Sequence, residues 1–308
     1  MKGTDLRRLE FTLTERCNSE CSYCQASAGP RLTGVMEVAD GYAYLDAAVK
    51  VAKLESFLVF GGEPMLYPAR AVAFFERAHS LKIPTLEMLT NGTWGRNKKR
   101  AETLAKKLKQ AGLNSLGISV DAFHLEHIPL EFPRRAAEAS VKAGVEKVVW
   151  NVAVLESLTA DNRYDSVTAR ILKDLEPVGI EAHVHRVAAA GRALEKIPQF
   201  FPKTPLEGPC EGETPMENAL INPKCLTIEP SGLVEVCWHL YIGNAKETPL
   251  DRIICEYDWR KNPLIKLLVE EGPMGLLKEA KLVVGGFRRD LYVNKCHLCV
   301  ELRRRLDR

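Results

Sequence analysis

Apolar and polar residues recur with two different periods between about residues 8 and 190. Short β-rich runs read Leu9–Thr14, Ser56–Phe60, Thr85–Thr90, Ser115–Val120, Val148–Val154 and Glu181–Val187. Between them, amphipathic patterns predict helices at about 36–54, 69–81, 97–111, 132–143 and 165–176, with Gly112 and Gly144 as C-terminal stops. Such alternation predicts an α/β fold whose parallel sheet is joined by right-handed crossovers. Six strands fit an incomplete barrel or a doubly wound sheet, and periodicity does not choose between them.

After residue 196 the pattern changes. The segment IPQFFPKTPLEGP carries four prolines and reads as a linker. It is followed by a strand–turn–strand pattern, CLTIE-PSG-LVEVC, with Pro230-Ser231-Gly232 as the turn. Helices are predicted at about 263–270 and 273–281, then a charged C-terminal helix after Cys299. Two domains are expected, 1–196 and 197–308. There is no internal repeat and no low-complexity tract.

The chain has 308 residues, 46% hydrophobic and 27% charged, enough to bury a large core. A net charge of +3, with both signs mixed along the chain, gives no footprint for nucleic acid or an anionic membrane. Lys98-Lys99-Arg100 and Arg303-Arg304-Arg305 read as solvated helix faces. No apolar run approaches the roughly 20 residues that span a bilayer, and Met1-Lys2-Gly3-Thr4-Asp5 lacks a signal peptide's apolar segment. The expected location is the cytoplasm, where thiols stay reduced. Nine cysteines there point to metal binding or catalysis rather than disulfides.

Three of these, Cys17, Cys21 and Cys24, form a CxxxCxxC in FTLTERCNSECSYCQ, on the loop after the first strand. Three thiolates can hold three corners of a [4Fe–4S] cluster and leave the fourth iron open. A zinc site is the competing account of the cysteines alone. Parallel βα units build sites at this edge of the sheet, and polar groups recur there. Gly61-Gly62-Glu63-Pro64 follows strand two, where paired glycines allow close approach and a carboxylate can accept from an ammonium. Strand three ends in Thr90-Asn91-Gly92. Strand four carries Ser119 and Asp121, suited to ribose hydroxyls or to helix capping.

With these residues the chain resembles the radical SAM enzymes. CNSECSYC resembles their cluster motif, including the aromatic Tyr23, and GGEP resembles their methionine-binding motif. The resemblance implies a partial (β/α)6 TIM-like barrel over about residues 6–195. It implies that Cys17, Cys21 and Cys24 ligate the cluster, whose open iron chelates S-adenosylmethionine, and that an external reductant such as flavodoxin or ferredoxin supplies electrons. Carried over in the same way, Tyr23 lies near the adenine, while Gly61, Gly62, Glu63 and Pro64 hold the methionine ammonium. Ser119 and Asp121 meet the ribose or carboxylate, and Arg186 and Gly191, in HVHRVAAAGRA, border the cofactor. His183 and His185 alternate on strand six and face substrate or a structural partner. His124 and His127 read as structural.

The remaining cysteines lie beyond the barrel. Gly232 precedes Cys237 by five positions, and Cys296-His297-Leu298-Cys299 comes late. This resembles the β-hairpin-plus-helices auxiliary-cluster domain of radical SAM maturases, of the SPASM or shorter twitch type. A second [4Fe–4S] cluster on Cys237, Cys296 and Cys299 is implied, with Cys210 or Cys225 as the fourth ligand and structural zinc as the alternative. Cys210 is favoured over Cys225, which begins a strand, and Cys255, after two isoleucines, reads as a buried thiol. Enzymes with such an appendage usually modify peptides or proteins, and radical chemistry on a small molecule is the alternative. A first strand near residue 8 leads to the expectation that no leader-peptide-binding domain precedes the barrel. A non-catalytic electron carrier is disfavoured by GGEP.

Overall fold

In the computed structural model, which describes residues 4–210, 219–279 and 287–306, strand β1 (Arg8–Thr14) has two sharply different faces. Leu9, Phe11 and Leu13 are fully buried, while Arg8, Glu10 and Thr12 alternate with them on the half-buried side. The apolar face packs on helices α1 (Val38–Val51) and α2 (Pro68–Ser80). Phe11 meets Tyr44, Phe57 and Phe74 edge to face at centroid separations of 6.2, 4.9 and 5.4 Å. Each such pair adds about 0.5–1.5 kcal/mol beyond the burial of its area. The polar face lines the barrel lumen, where Arg8 donates to Glu10 at 2.6 Å and to Glu87 at 2.5 Å.

The next strands are β2 (Ser56–Gly61), β3 (Thr85–Thr90), β4 (Ser115–Ser119), β5 (Lys147–Val154) and β6 (Glu181–Arg186), linked by α3 (Lys98–Gln110), α4 (Ala122–Leu125), α5 (Glu131–Lys142) and α6 (Arg163–Leu175). All pair in parallel and in chain order. A doubly wound sheet would reverse its order at a switch point. The chain therefore forms the incomplete TIM-like barrel of the two alternatives. Helices α3 and α5 end two residues before Gly112 and Gly144, as predicted.

The barrel is not closed by β6 meeting β1. Strand β7 (Cys225–Ile228) lies parallel to β1 instead, with Arg8 opposite Cys225 and Glu10 opposite Thr227. Antiparallel β8 (Leu233–Cys237) and β9 (Leu240–Asn244) follow, giving the order β6-β5-β4-β3-β2-β1-β7-β8-β9. The C-terminal hairpin thus continues the barrel's own sheet across the expected boundary at 196/197.

After β6 come α7 (Arg192–Lys196) and then, beyond the hairpin, α8 (Leu250–Glu256), α9 (Pro263–Glu270), α10 (Pro273–Glu279) and α11 (Lys295–Leu306). Strand β9 and helix α8 were not predicted, and α11 begins before Cys299 rather than after it. Cys255 is exposed, not buried, because Leu250, Ile253 and Ile254 occupy the inner face of α8. Arg303, expected on a solvated face, is only 5% exposed. Among the described residues, no helix is long and apolar enough to cross a membrane.

Candidate active site

The loop between β1 and α1 returns on itself through bridges from Thr14 to Val35 and from Arg16 to Gly29. Cys17 and Cys21 are buried on it, Cys24 is half-buried, and all three are free thiols. Burial pushes the Cys17 thiol up to about 11 and the Cys21 thiol higher still, and the thiols' mutual repulsion adds to both shifts. Such buried, unpaired thiolates are costly unless a cation joins them, and an all-sulfur donor set suits iron. The Asn91 side-chain amide reaches Cys17 Sγ at 3.8 Å, and the backbone at Ser19 also hydrogen-bonds this sulfur. Three free thiols converging on one loop, with N–H groups aimed at sulfur, fit a [4Fe–4S] cluster.

The GGEP segment packs directly against this loop. Gly62 N donates to Thr14 O at 2.6 Å, and Glu63 N to Arg16 O at 2.9 Å. A Cβ on Gly62 would lie 2.1 Å from Arg16 O. The close approach that requires glycine here is to the protein's own backbone. Glu63 is buried, and its carboxylate accepts from Met65 N, Thr90 Oγ1 and Asn91 N at 2.9, 2.7 and 2.7 Å. Burial raises its pKa against those three donors. Glu63 therefore ties the β2 loop to the β3 loop, and Pro64 opens the short turn that follows. Asn91 extends the link by donating to Asn18 Oδ1 at 2.9 Å.

Tyr23 stands on an aromatic platform. Its ring is 5.0 Å from Phe123, which stacks on Tyr164 at 4.5 Å, and 5.4 Å from His124. Ser119 opens on a water-sized cleft shared with Asn91, Asp121 and His124. Asp121 does not stand ready for a ribose. It caps α4, accepting from Phe123 N, His124 N and His124 Nδ1, and its second oxygen accepts from Ala153 N. Arg186 is exposed at the end of β6 and donates to Glu156 O at 3.2 Å, on the β5 side, rather than bordering the cluster loop. His183 is exposed and His185 half-buried on the same strand, their rings 6.2 Å apart.

The contact from beyond β6 to the cluster loop is made by Gly191, expected from the sequence beside Arg186, and by Arg192. A Cβ on Gly191 would lie 2.1 Å from Gln25 O. Arg192 donates its backbone N–H to Cys24 O at 3.0 Å and its guanidinium to Cys21 O, Ser27 O and Ala28 O at 2.9, 3.0 and 2.7 Å. Arg192 was not singled out from the sequence, and its only signal is its place directly after a glycine in the turn between β6 and α7.

Cys237, at the end of β8, has its thiol pushed up to about 12 by burial, with Cys210 and Cys299 close enough to add to the shift. Cys296 and Cys299 lie three residues apart on α11, and Cys296 opens on the cavity inside the barrel. Buried Arg303 donates to Cys299 Sγ at 3.4 Å, to Trp238 O at 2.6 Å and to His239 O. Cys225 lies apart, against Glu10 and Arg8 in the lumen. A cavity of about 840 Å³ joins these regions. Gln25, Ala26, Gly62 and Gly191 wall it beside the cluster loop, and Cys237 and Cys296 wall it beside the hairpin.

A family model described as Radical SAM superfamily matches residues 11–161. Molybdenum cofactor biosynthesis protein 1 of Mus musculus is 31% identical over 173 residues, 52% of this chain and 26% of that protein. The mitochondrial GTP 3′,8-cyclase of Arabidopsis thaliana is 24% identical over 218 residues, 63% of this chain and 53% of that protein. The chain spans about half the length, or less, of these curated relatives. Among solved structures, Streptococcus suis SuiB bound to precursor peptide SuiA superposes with a TM-score of 0.57 at 14% identity, covering 89% of this chain and 73% of that one. At that identity the likeness concerns the fold. The matched span begins within β1, ends beyond β5 and takes in both loops that meet at the cysteines. Residues 11–161 therefore form a radical SAM domain, of the superfamily whose members work with a [4Fe–4S] cluster and S-adenosylmethionine.

Proposed function

We propose that the chain abstracts a hydrogen from a small polar molecule held in the cavity between the cluster loop and the hairpin. When bound, the cluster and S-adenosylmethionine supply reductive cleavage to methionine and a 5′-deoxyadenosyl radical. Cys17, Cys21 and Cys24 would hold the cluster, the Gly61–Pro64 segment the methionine end, Tyr23 the adenine, and Ser119 the ribose. A flavodoxin or ferredoxin in the cytoplasm would be the electron donor. Cys210, Cys237, Cys296 and Cys299 would hold a second cluster, closed by four thiolates and so suited to electron transfer.

The observation that carries the proposal is the single cavity reaching from the cluster loop to Cys237 and Cys296. The named activities of the relatives support a small molecule over the peptide expected first from the appendage. The charge of the wall narrows the class further. Among the described residues it presents Glu10, Glu15, Glu195, Glu229 and Glu301 against Arg8, Lys224 and Arg304, while burial pushes Glu235 up to about 8 and keeps it largely protonated at neutral pH. That balance disfavours a triphosphate and favours a neutral or cationic substrate. The test is anaerobic reconstitution with dithionite and S-adenosylmethionine, reading 5′-deoxyadenosine by mass spectrometry with and without candidate compounds. Neutral or cationic compounds should stimulate its formation. Conversion of GTP would overturn the charge assignment, and absence of any 5′-deoxyadenosine would overturn the function.

A further inference from the structure

We infer that Arg192 is a positioning residue that holds the cluster loop in its ligating shape and lends positive charge to the cluster. The inference rests on the assignment of the cluster to Cys17, Cys21 and Cys24. The chain from Cys21 to Ala28 folds without a helix or strand of its own, and its internal backbone bonds include two turns, Cys24 N to Cys21 O and Ser27 N to Cys24 O. Arg192 adds partners that tie these turns to the end of the barrel. Its guanidinium gathers Cys21 O, Ser27 O and Ala28 O, and its N–H takes Cys24 O. Two of the four carbonyls belong to cluster cysteines. A planar fork with five donors can hold three carbonyls at once, which an ammonium on a flexible stem cannot do with the same geometry.

The placement of Arg192 adds a second consequence. It opens α7, and its neighbours Gly191, Leu194 and Glu195 line the cavity. The same short segment thus forms one wall of the cavity and grips the cluster loop from behind, so the distance between them is fixed through Arg192. A guanidinium bonded to the carbonyls of ligand residues also favours the more negatively charged, reduced form of a cluster.

The experiment compares reconstituted wild type, Arg192→Gln, Arg192→Lys and Gly191→Ala, with exposed Arg170→Gln as control. Wild type must first show the loop cluster by electron paramagnetic resonance, and its absence would be a failure of the underlying assignment rather than of this inference. The readouts are the rate of iron release to a chelator and the cluster's midpoint potential. Arg192→Gln is expected to release iron at least about tenfold faster, since it gives up charge-assisted hydrogen bonds, and to have a lower potential. Arg192→Lys should release iron at an intermediate rate and recover much of the potential. Gly191→Ala, which displaces the loop but keeps the charge, should speed release with little change in potential. Wild-type release and potential in Arg192→Gln would overturn the inference, as would a potential drop of equal size in Gly191→Ala. Should Arg192→Gln fail to fold, Arg192→Lys decides: a release rate equal to that of Arg170→Gln overturns it.

Discussion

Asp121 shows at the scale of one residue how a polar group at a strand end is claimed by architecture before chemistry. Four protein donors converge on its two oxygens, so the carboxylate is already saturated. Glu63 is similar, with three donors on a buried carboxylate. In His185, as in Glu63, burial outweighs the compensation. Burial lowers its pKa from the ordinary 6.5, and the opposing pull of Asp121 is outweighed. The folded chain therefore keeps this imidazole neutral at a pH where the unfolded chain protonates it. The unfolded state then binds more protons, and stability falls as pH drops through about 6.5. In urea unfolding of the apoprotein, the midpoint should fall between about pH 7 and pH 5.5, and His185→Gln should flatten part of that fall. An identical slope in the variant would assign the loss to other groups.

Among elements, the six barrel strands and five long helices were legible because each has room for several repeats of its period. Predicted and observed ends differ by no more than a few residues. Helices α4 and α7 escaped detection because four or five residues do not display a helical period. Strand β9 was missed for a related reason, since LYIGN holds few alternations, and the placement of β7 beside β1 is a long-range pairing with no local signal. Within the site, the cysteine loop and GGEP were legible as motifs, but their direct contact was not. That contact yields a prediction for the two loops. In Gly62→Ala the new Cβ would meet Arg16 O at 2.1 Å, and neither backbone segment can yield without moving Cys17. The variant should lose about 1–3 kcal/mol in the apoprotein by chemical denaturation, with iron uptake at the N-terminal loop reduced in parallel. Full stability with normal uptake would mean that the loops slide freely past each other.

Across the whole molecule, the unpredicted feature with the largest consequence is the continuity of the sheet from barrel to hairpin. Because β7 pairs with β1, Cys237 at the end of β8 opens into the same cavity that the cluster loop borders. Cys210 and Cys299 gather at Cys237, whereas Cys225 turns into the lumen beside Glu10. The two proposed metal sites on one cavity would have separable tasks, and a substitution can separate them. Cys237→Ala removes one of four proposed ligands at the hairpin and leaves Cys17, Cys21 and Cys24 untouched. Iron per chain should fall by about half relative to wild type, as expected when one of two four-iron clusters is lost. Cleavage of S-adenosylmethionine under dithionite should persist. Conversion of substrate should fail if the hairpin cluster accepts the substrate's electron. Structural zinc at the same cysteines gives a different pattern: wild type would carry a single cluster with one zinc, and Cys237→Ala would lose the zinc without losing iron. Measuring iron and zinc together with 5′-deoxyadenosine in these two proteins decides between an electron-accepting hairpin and a merely structural one.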